Sequence, residues 1–163
     1  MSGHLDRDEL FYVGCIEDYY RAAKLQFPDR LAAVEIVAER IELMRKHSGQ
    51  HEKRVPFIVS GMLLPTLRKF FVKDCKAIAL IRATQTALAI ERHRLKHGGQ
   101  PPSTLQELVP DFLNAVPNNP FDGTAMRIRM LSSGYEVFCR TNEFKDESLQ
   151  SDSNEEISVA VHR

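Results

Sequence analysis

The chain has 163 residues, of which 43% are hydrophobic and 27% charged, and its 22 basic and 22 acidic side chains cancel. This length suffices for a domain with its own core, and the balanced charge argues against polyanionic partners such as nucleic acid or an anionic membrane surface. The three cysteines, Cys15, Cys75 and Cys139, have no C-x-x-C spacing. This argues against a zinc ribbon, a thioredoxin-like motif or a disulfide framework, and it predicts buried free thiols.

The first residues and the apolar stretches bear on membrane insertion. Residues 1–9 lack the apolar core of a signal peptide. The longest uncharged stretch, residues 55–67, is shorter than the roughly 20 residues that a membrane-spanning helix needs. We therefore expect no signal peptide and no membrane-spanning segment in this chain. Two locations stay open: extracytoplasmic, if the chain is a fragment of a longer anchored protein, and otherwise cytoplasmic.

Two helices are predicted before residue 60. Asp6 and Glu9 have the spacing of a capping box and predict a first helix over residues 6–26. Asp29 can cap a second helix, whose apolar stripe is formed by Leu31, Val34, Ala38, Ile41 and Met44. The polar residues 47–54 then predict a solvated connection.

A third and longer helix is predicted from Pro65. Proline is favoured in the first turn of a helix, and neither proline nor glycine interrupts residues 66–97. Apolar side chains recur in it at helical spacing, at Ala77, Ile81, Thr84, Leu88 and Leu95. We expect this face to be covered by other parts of the protein.

The residues after the long helix predict a small antiparallel sheet. Gly98 and Gly99 end the helix, and Ser103 or Thr104 can cap a short helix that runs to Leu108. Alternating apolar residues predict strands over residues 125–130, 135–139 and 157–161, the first two joined by a turn at residues 132–134. Helices followed by strands indicate an α+β fold. We divide the chain into an N-terminal helical extension, residues 1–60, and an α+β domain, residues 61–163, that share one core.

The order of these elements and several short motifs resemble a known family. The motifs are His97-Gly98, Pro102, LQELVP at residues 105–110 and VPNNPFDG at residues 116–123. Together with the long helix and the hairpin, they resemble the globular part of type II secretion pseudopilins of the G kind, and more closely bacterial proteins with a pseudopilin-like C-terminal domain. The resemblance covers residues 62–163. It implies a spine helix carrying a small sheet, and a scaffold role with protein partners or self-association, without nucleic acid.

The same resemblance bears on metal binding. Pseudopilins of this kind carry a glycine- and aspartate-rich calcium loop before the last strand, where this chain has an acid-rich segment without those glycines. Asn119 stands where the family tends to have an aspartate. Hard oxygen ligands of the type calcium takes are available at Asp146, Glu147, Asp152 and Glu155. A solvated connection is the other interpretation of this segment, and we expect no cofactor, with calcium as the alternative.

Two further patterns concern chemistry. His93 and His97 have the spacing of zinc ligands on one helix face, but Arg94 and Lys96 would repel a cation, so we favour a solvated helix end with His97 as a capping partner. The chain lacks the G-x-S-x-G and phosphate-loop patterns, and we expect no enzyme activity. The alternative is an enzyme or small-ligand-binding protein with a pocket between the N-terminal helices and the sheet, using Glu17, Tyr19, Tyr20 and Asp74.

Overall fold

The residues described here, 2–48, 58–141 and 156–162 of a computed structural model, form three α-helices and a three-stranded antiparallel sheet. The helices are α1 (Ser2–Ala23), α2 (Asp29–Ser48) and α3 (Ile58–Lys96), and a short 3₁₀ helix (Leu105–Leu108) follows them. The strands are β1 (Arg127–Leu131), β2 (Gly134–Arg140) and β3 (Glu156–His162). The predicted α+β fold is therefore confirmed. The chain divides into two compact units, Met1–Asp74 and Cys75–Arg163, and α3 contributes residues to both.

The N-terminal unit, Met1–Asp74, packs α1, α2 and the first part of α3 around one apolar core. The buried core residues are Cys15, Tyr19, Ala22, Val34, Val37, Ile41 and Leu64. Burial of Val34 and Ile41 confirms the predicted stripe of α2 at these positions. At the edge of the core, three ion pairs of 2.7 to 3.0 Å join helices to one another, Arg40–Asp18, Arg68–Glu35 and Arg30–Asp74. These partly exposed pairs each contribute at most about 1 kcal/mol, so burial of the apolar core stabilises the packing of the three helices more than they do.

The predicted limits of α1 are wrong at both ends. The helix already includes Ser2, so Asp6 and Glu9 lie inside it and do not cap its start. It ends at Ala23, three residues before the predicted end. The helix ends in a tight turn, in which the N–H groups of Lys24 and Leu25 donate to the carbonyls of Arg21 and Ala22, three residues before each, at 3.2 and 3.0 Å.

The predicted start of α3 at Pro65 is also wrong, because the helix begins at Ile58 and the proline lies inside it. Asp8 on α1 accepts hydrogen bonds from the Ser60 N–H, at 3.2 Å, and from the Ser60 hydroxyl. Leu64 is fully buried in the core of the N-terminal unit. A carboxylate at a helix start and a buried leucine both stabilise the turns ahead of the proline. These are tertiary contacts, which residue spacing does not reveal.

The C-terminal unit, Cys75–Arg163, contains the second part of α3, the 3₁₀ helix and the sheet. Strand β2 is central and pairs antiparallel with β1 and with β3. Ser132 and Ser133 connect β1 and β2 within the predicted turn at residues 132–134, but Gly134, predicted in the turn, is the first residue of β2. Gly134 pairs with His162 and has a φ of +127°, and a Cβ added there would overlap the carbonyl oxygen of Val161. Only glycine fits where β2 passes the backbone of β3 so closely.

The C-terminal end of α3 lies where the sequence predicts it. Gly98 adopts a φ of +64°, and the Gly99 N–H donates a hydrogen bond of 2.9 Å to the carbonyl of Arg94, which is the characteristic bond of a Schellman motif. The Glu107 carboxylate then accepts a hydrogen bond of 3.2 Å from the Thr104 N–H at the start of the 3₁₀ helix. The predicted helix end and the predicted cap at Thr104 are confirmed, although the short element is a 3₁₀ helix.

Candidate interaction surface

An exposed row of large apolar side chains runs along α3 in the C-terminal unit. Ile81, Leu88 and Leu95 are 52%, 61% and 77% exposed. They stand seven residues apart, a spacing that places them on one face of the helix. We call these three residues the apolar row. The sequence predicts a covered face here, and that prediction is wrong.

The buried face of α3 in this unit is made largely of small side chains. Its buried residues are Cys75, Ala79, Ala83, Thr86, Ala87, Ala89, Ile90 and His93. The Thr86 hydroxyl donates a hydrogen bond of 2.8 Å to the carbonyl of Arg82, so this buried polar group is satisfied within the helix. Small side chains let a helix backbone lie close to its neighbours, and close packing is what a protein interior requires. Ile90 is the one large aliphatic side chain among these buried residues, whereas Ile81, Leu88 and Leu95 are exposed.

Tyr135 ties the helix that carries the apolar row to the sheet. Its side chain is buried in the C-terminal unit. The hydroxyl lies 2.9 Å from Glu91 Oε1 and 3.1 Å from the carbonyl oxygen of Ala87, and its single proton can be donated to either acceptor. Both acceptors lie on the stretch of α3 around Leu88. The contact therefore holds β2 against the stretch of α3 that carries the apolar row.

Basic side chains surround the C-terminal end of the apolar row. Arg94 Nε lies 3.3 Å from Glu91, and Lys96 Nζ lies 3.0 Å from Asp111, so these two charges are largely neutralised. Arg92 is exposed, and no carboxylate of the described residues is placed to form an ion pair with it. An unneutralised arginine beside exposed apolar side chains makes this end of the surface positive.

The two histidines near the helix end form a ring stack. The rings of His93 and His97 lie 4.0 Å apart at 21°, and Phe112 meets the His93 ring edge-on at 5.5 Å. His97 Nδ1 lies 2.8 Å from the carbonyl oxygen of His93, so it carries the proton and donates to it. His97 thus caps the helix end, as expected. His93 is buried, and its Nδ1 has no hydrogen-bond partner within the described part of the chain, so the expected solvated helix end is wrong for this residue.

Metal-binding positions fall into two sets. In the described residues, no group of three or more histidine, cysteine, aspartate or glutamate side chains is placed to hold a metal ion, and this includes the surroundings of His93 and His97. The candidate calcium ligands lie outside the described residues and comprise Asp146, Glu147, Asp152 and Glu155.

The turn before β1 explains why this chain has asparagine at position 119. Asn119 is buried, and its Nδ2 donates a hydrogen bond of 2.8 Å to the carbonyl of Arg140, while its Oδ1 accepts one of 3.1 Å from the Phe121 N–H. An aspartate could accept the second bond but, when ionised, could not donate the first. Asparagine therefore satisfies both groups in this turn.

The side chains named for a ligand pocket all lie in the N-terminal unit, in different surroundings. Tyr19 is buried, and its hydroxyl has no hydrogen-bond partner within residues 2–48, 58–141 and 156–162. Burial raises the pKa of Tyr19 to about 12, so the phenol is neutral at physiological pH. Tyr20 and Glu17 point to solvent on α1. Asp74 forms an ion pair of 3.0 Å with Arg30 on α2.

An ionic cluster lies on the exposed side of the sheet. Arg129 Nη2 lies 2.5 Å from Glu136 and 3.1 Å from Glu156, which links all three strands. A hydrogen bond from Ser158 and the Arg129 guanidinium together hold the pKa of Glu136 below its usual value. A carboxyl group with a lowered pKa is an anion near neutral pH, so this cluster serves strand pairing and is unsuited to donating protons.

Comparison with known proteins does not assign the chain to a family. No protein-family model, curated protein or solved structure matches the chain. Among the helices of the described residues, none has an apolar stretch long enough to cross a membrane.

Proposed function

We propose that this chain is a non-enzymatic protein-interaction module whose contact surface is the apolar row of α3. The exposure of Ile81, Leu88 and Leu95 on one helix face is the observation that carries this proposal. Single exposed apolar residues are normal on protein surfaces, whereas apolar side chains grouped on one face mark contact sites. A seven-residue spacing is also the pattern by which one helix packs along another.

The Tyr135 contact supports this proposal, because a recognition helix has to be held rigidly. The buried hydroxyl bonds to the stretch of α3 that carries the row. The row therefore stands on a helix that is fixed to the sheet, and little conformational entropy is lost when a partner binds a preorganised surface.

We also propose that the C-terminal unit is pseudopilin-like and acts as a scaffold. The order of a long helix ended at Gly98, a short 3₁₀ helix, a β-hairpin and a third strand agrees with the order that the resemblance implies. A scaffold role of this kind needs no cofactor. Protein partners, or further copies of the chain, account for the exposed apolar face.

Nucleic acid is a poorer explanation of the basic residues on α3. The chain has no net charge. Two of the basic side chains near the apolar row, Arg94 and Lys96, are paired with Glu91 and Asp111. Binding to a phosphate backbone depends on several unneutralised lysine and arginine side chains acting together.

Site-specific photo-crosslinking in the cells in which the chain naturally occurs tests the proposal. A photoreactive amino acid at Leu88 should give a discrete adduct with a protein, because a partner that covers the apolar row lies within reach of that side chain. The same amino acid at Met130 is the matched control, since Met130 is a comparably exposed apolar residue, at 56%, on β1 of the same unit.

The adduct from position 88 should disappear when Ile81→Asp is added, because a buried, unpaired carboxylate disfavours the contact. An adduct of twice the mass of the chain would identify a second copy as the partner. The absence of any adduct at positions 81, 88 and 95, or equal adducts at positions 88 and 130, would overturn the proposal.

A further inference from the structure

We infer that the occupant of the apolar row is an amphipathic helix with acidic side chains flanking its apolar face. This inference rests on the proposed function and names the partner class of the same surface. It is carried by the shape of the row and by the charges around it.

The shape of the apolar row fits a single helix. From Ile81 to Leu95 the row covers 15 residues, and its two ends lie about 21 Å apart at the rise of an α-helix. Between Ile81 and Leu88 the seam has the exposed Thr84, and between Leu88 and Leu95 it has Glu91 and Arg92. A partner helix with apolar residues at heptad positions can pack along this seam and place polar side chains opposite Glu91 and Arg92.

The charges near the apolar row favour an acidic partner. Between residues 75 and 96 the helix carries one acidic side chain, Glu91, and five basic ones, Lys76, Arg82, Arg92, Arg94 and Lys96. Arg92 follows Leu88 by four residues, next to the row, and has no carboxylate partner in the part of the chain that the structure describes. A glutamate on the partner helix would supply the missing counter-ion at the rim of the contact.

The same charges disfavour a second copy as the occupant. Pairing two rows would bring a second Arg92 to the contact, while the acidic residue next to it on α3, Glu91, already binds Arg94 and Tyr135. Like charges across an interface oppose association. An anionic membrane surface is disfavoured for a different reason: the row is narrow and has no aromatic residue, whereas helices that lie on membranes present a wide apolar face, often with tryptophan or phenylalanine.

Two designed peptides and the full-length chain test the inference. The first peptide has three heptads with leucine at the a and d positions and glutamate at e and g, and the second has lysine in place of every glutamate. Like charges keep each peptide from pairing with itself. We expect calorimetric titration to show that the glutamate peptide binds at least about tenfold more tightly than the lysine peptide at low salt, and that the difference shrinks as salt is added.

Two variants of the chain identify the surface. Leu88→Asp should weaken binding of the glutamate peptide by at least about tenfold, because burial of one leucine side chain corresponds to one to two orders of magnitude in affinity. Arg92→Glu should reverse the preference toward the lysine peptide. Leu10→Asp is the matched control, since Leu10 is 74% exposed on α1 of the N-terminal unit, and it should bind like the unchanged chain. Circular dichroism checks that all three variants fold.

Several results would overturn the inference. They are failure of the glutamate peptide to bind, equal binding of both peptides, or equal losses from the variants at positions 88 and 10. A concentration-dependent dimer in ultracentrifugation that Leu88→Asp abolishes would also overturn it. So would binding to phosphatidylserine vesicles that depends on Leu88. If the peptides fail while the adduct from position 88 persists, the inference alone is wrong. If neither peptide binding nor the adduct from position 88 is observed, the proposed function is wrong as well.

Discussion

Removing the hydroxyl of Tyr135 tests the contact that holds α3 against the sheet. Tyr135→Phe keeps the buried ring and deletes the group that lies 2.9 Å from Glu91 Oε1 and 3.1 Å from the carbonyl of Ala87. A hydrogen bond to a charged acceptor contributes about 1.5 to 3 kcal/mol. The Glu91 side chain is 24% exposed and can be partly hydrated, so we expect the lower end of that range, a loss of about 1.5 kcal/mol.

Urea unfolding of the C-terminal unit measures this loss. The buried thiols of Cys75 and Cys139 become reactive when that unit opens, and mass spectrometry of the alkylated protein distinguishes them from Cys15 in the N-terminal unit. Tyr20→Phe is the control, because the exposed Tyr20 hydroxyl should change stability by no more than about 0.5 kcal/mol.

A double-mutant cycle with Glu91→Ala separates the pairwise contact from other effects of each substitution. We expect a coupling energy of about 1 kcal/mol between Tyr135 and Glu91. A loss below about 0.5 kcal/mol for Tyr135→Phe, or additive effects in the cycle, would refute the reasoning that the bond to Glu91 anchors the stretch of α3 that carries the apolar row.

Three further tests concern backbone fit, an ionic cluster and a thiol. Gly134→Ala should destabilise the C-terminal unit by about 3 kcal/mol, because the added methyl group overlaps β3. Gly14→Ala has open space around it in α1 and should stabilise the protein by about 0.5 to 1 kcal/mol. Shifts of the urea midpoint in the same direction for both variants would contradict the described packing. The pKa of Glu136 is lowered in the folded state from 4.5, so its ionised form stabilises the fold above that pH and this contribution is lost as the pH falls through the folded-state pKa. The melting temperature should therefore fall more steeply with decreasing pH for the unchanged chain than for Glu136→Gln. Identical profiles of melting temperature against pH would contradict a stabilising role of this cluster. Burial raises the pKa of Cys139 to about 11, so this thiol should resist alkylation at neutral pH until the protein unfolds; rapid labelling of the native chain would show that it is accessible.

Local signals in the sequence were sufficient to predict many of the helix ends and strands. Gly98 can adopt the positive φ that ends a helix, Thr104 can cap the turn that follows, and alternating residues predict β1, β2 and β3 to within about two residues at each end. Each of these signals depends on groups a few residues apart. They are therefore visible without knowledge of the rest of the fold.

The candidate surface could be recognised only in part. The seven-residue spacing of Ile81, Leu88 and Leu95 is plain in the sequence and predicts a continuous apolar helix face. The sequence does not show that this face is exposed. The alanines on the opposite face are a signal that could have indicated close packing there, because small residues at helical spacing permit a helix to approach its neighbours.

The sequence by itself determined the order of the elements, the α+β class and the existence of an apolar face on α3. The tertiary structure decided that Asp8 and Leu64 support helical turns ahead of Pro65, and that Ala79 and Ala83, not Leu88, face the core. The physical reason is that helix periodicity defines which side chains share a face, whereas the shape of the neighbouring elements decides which face can be buried at close packing.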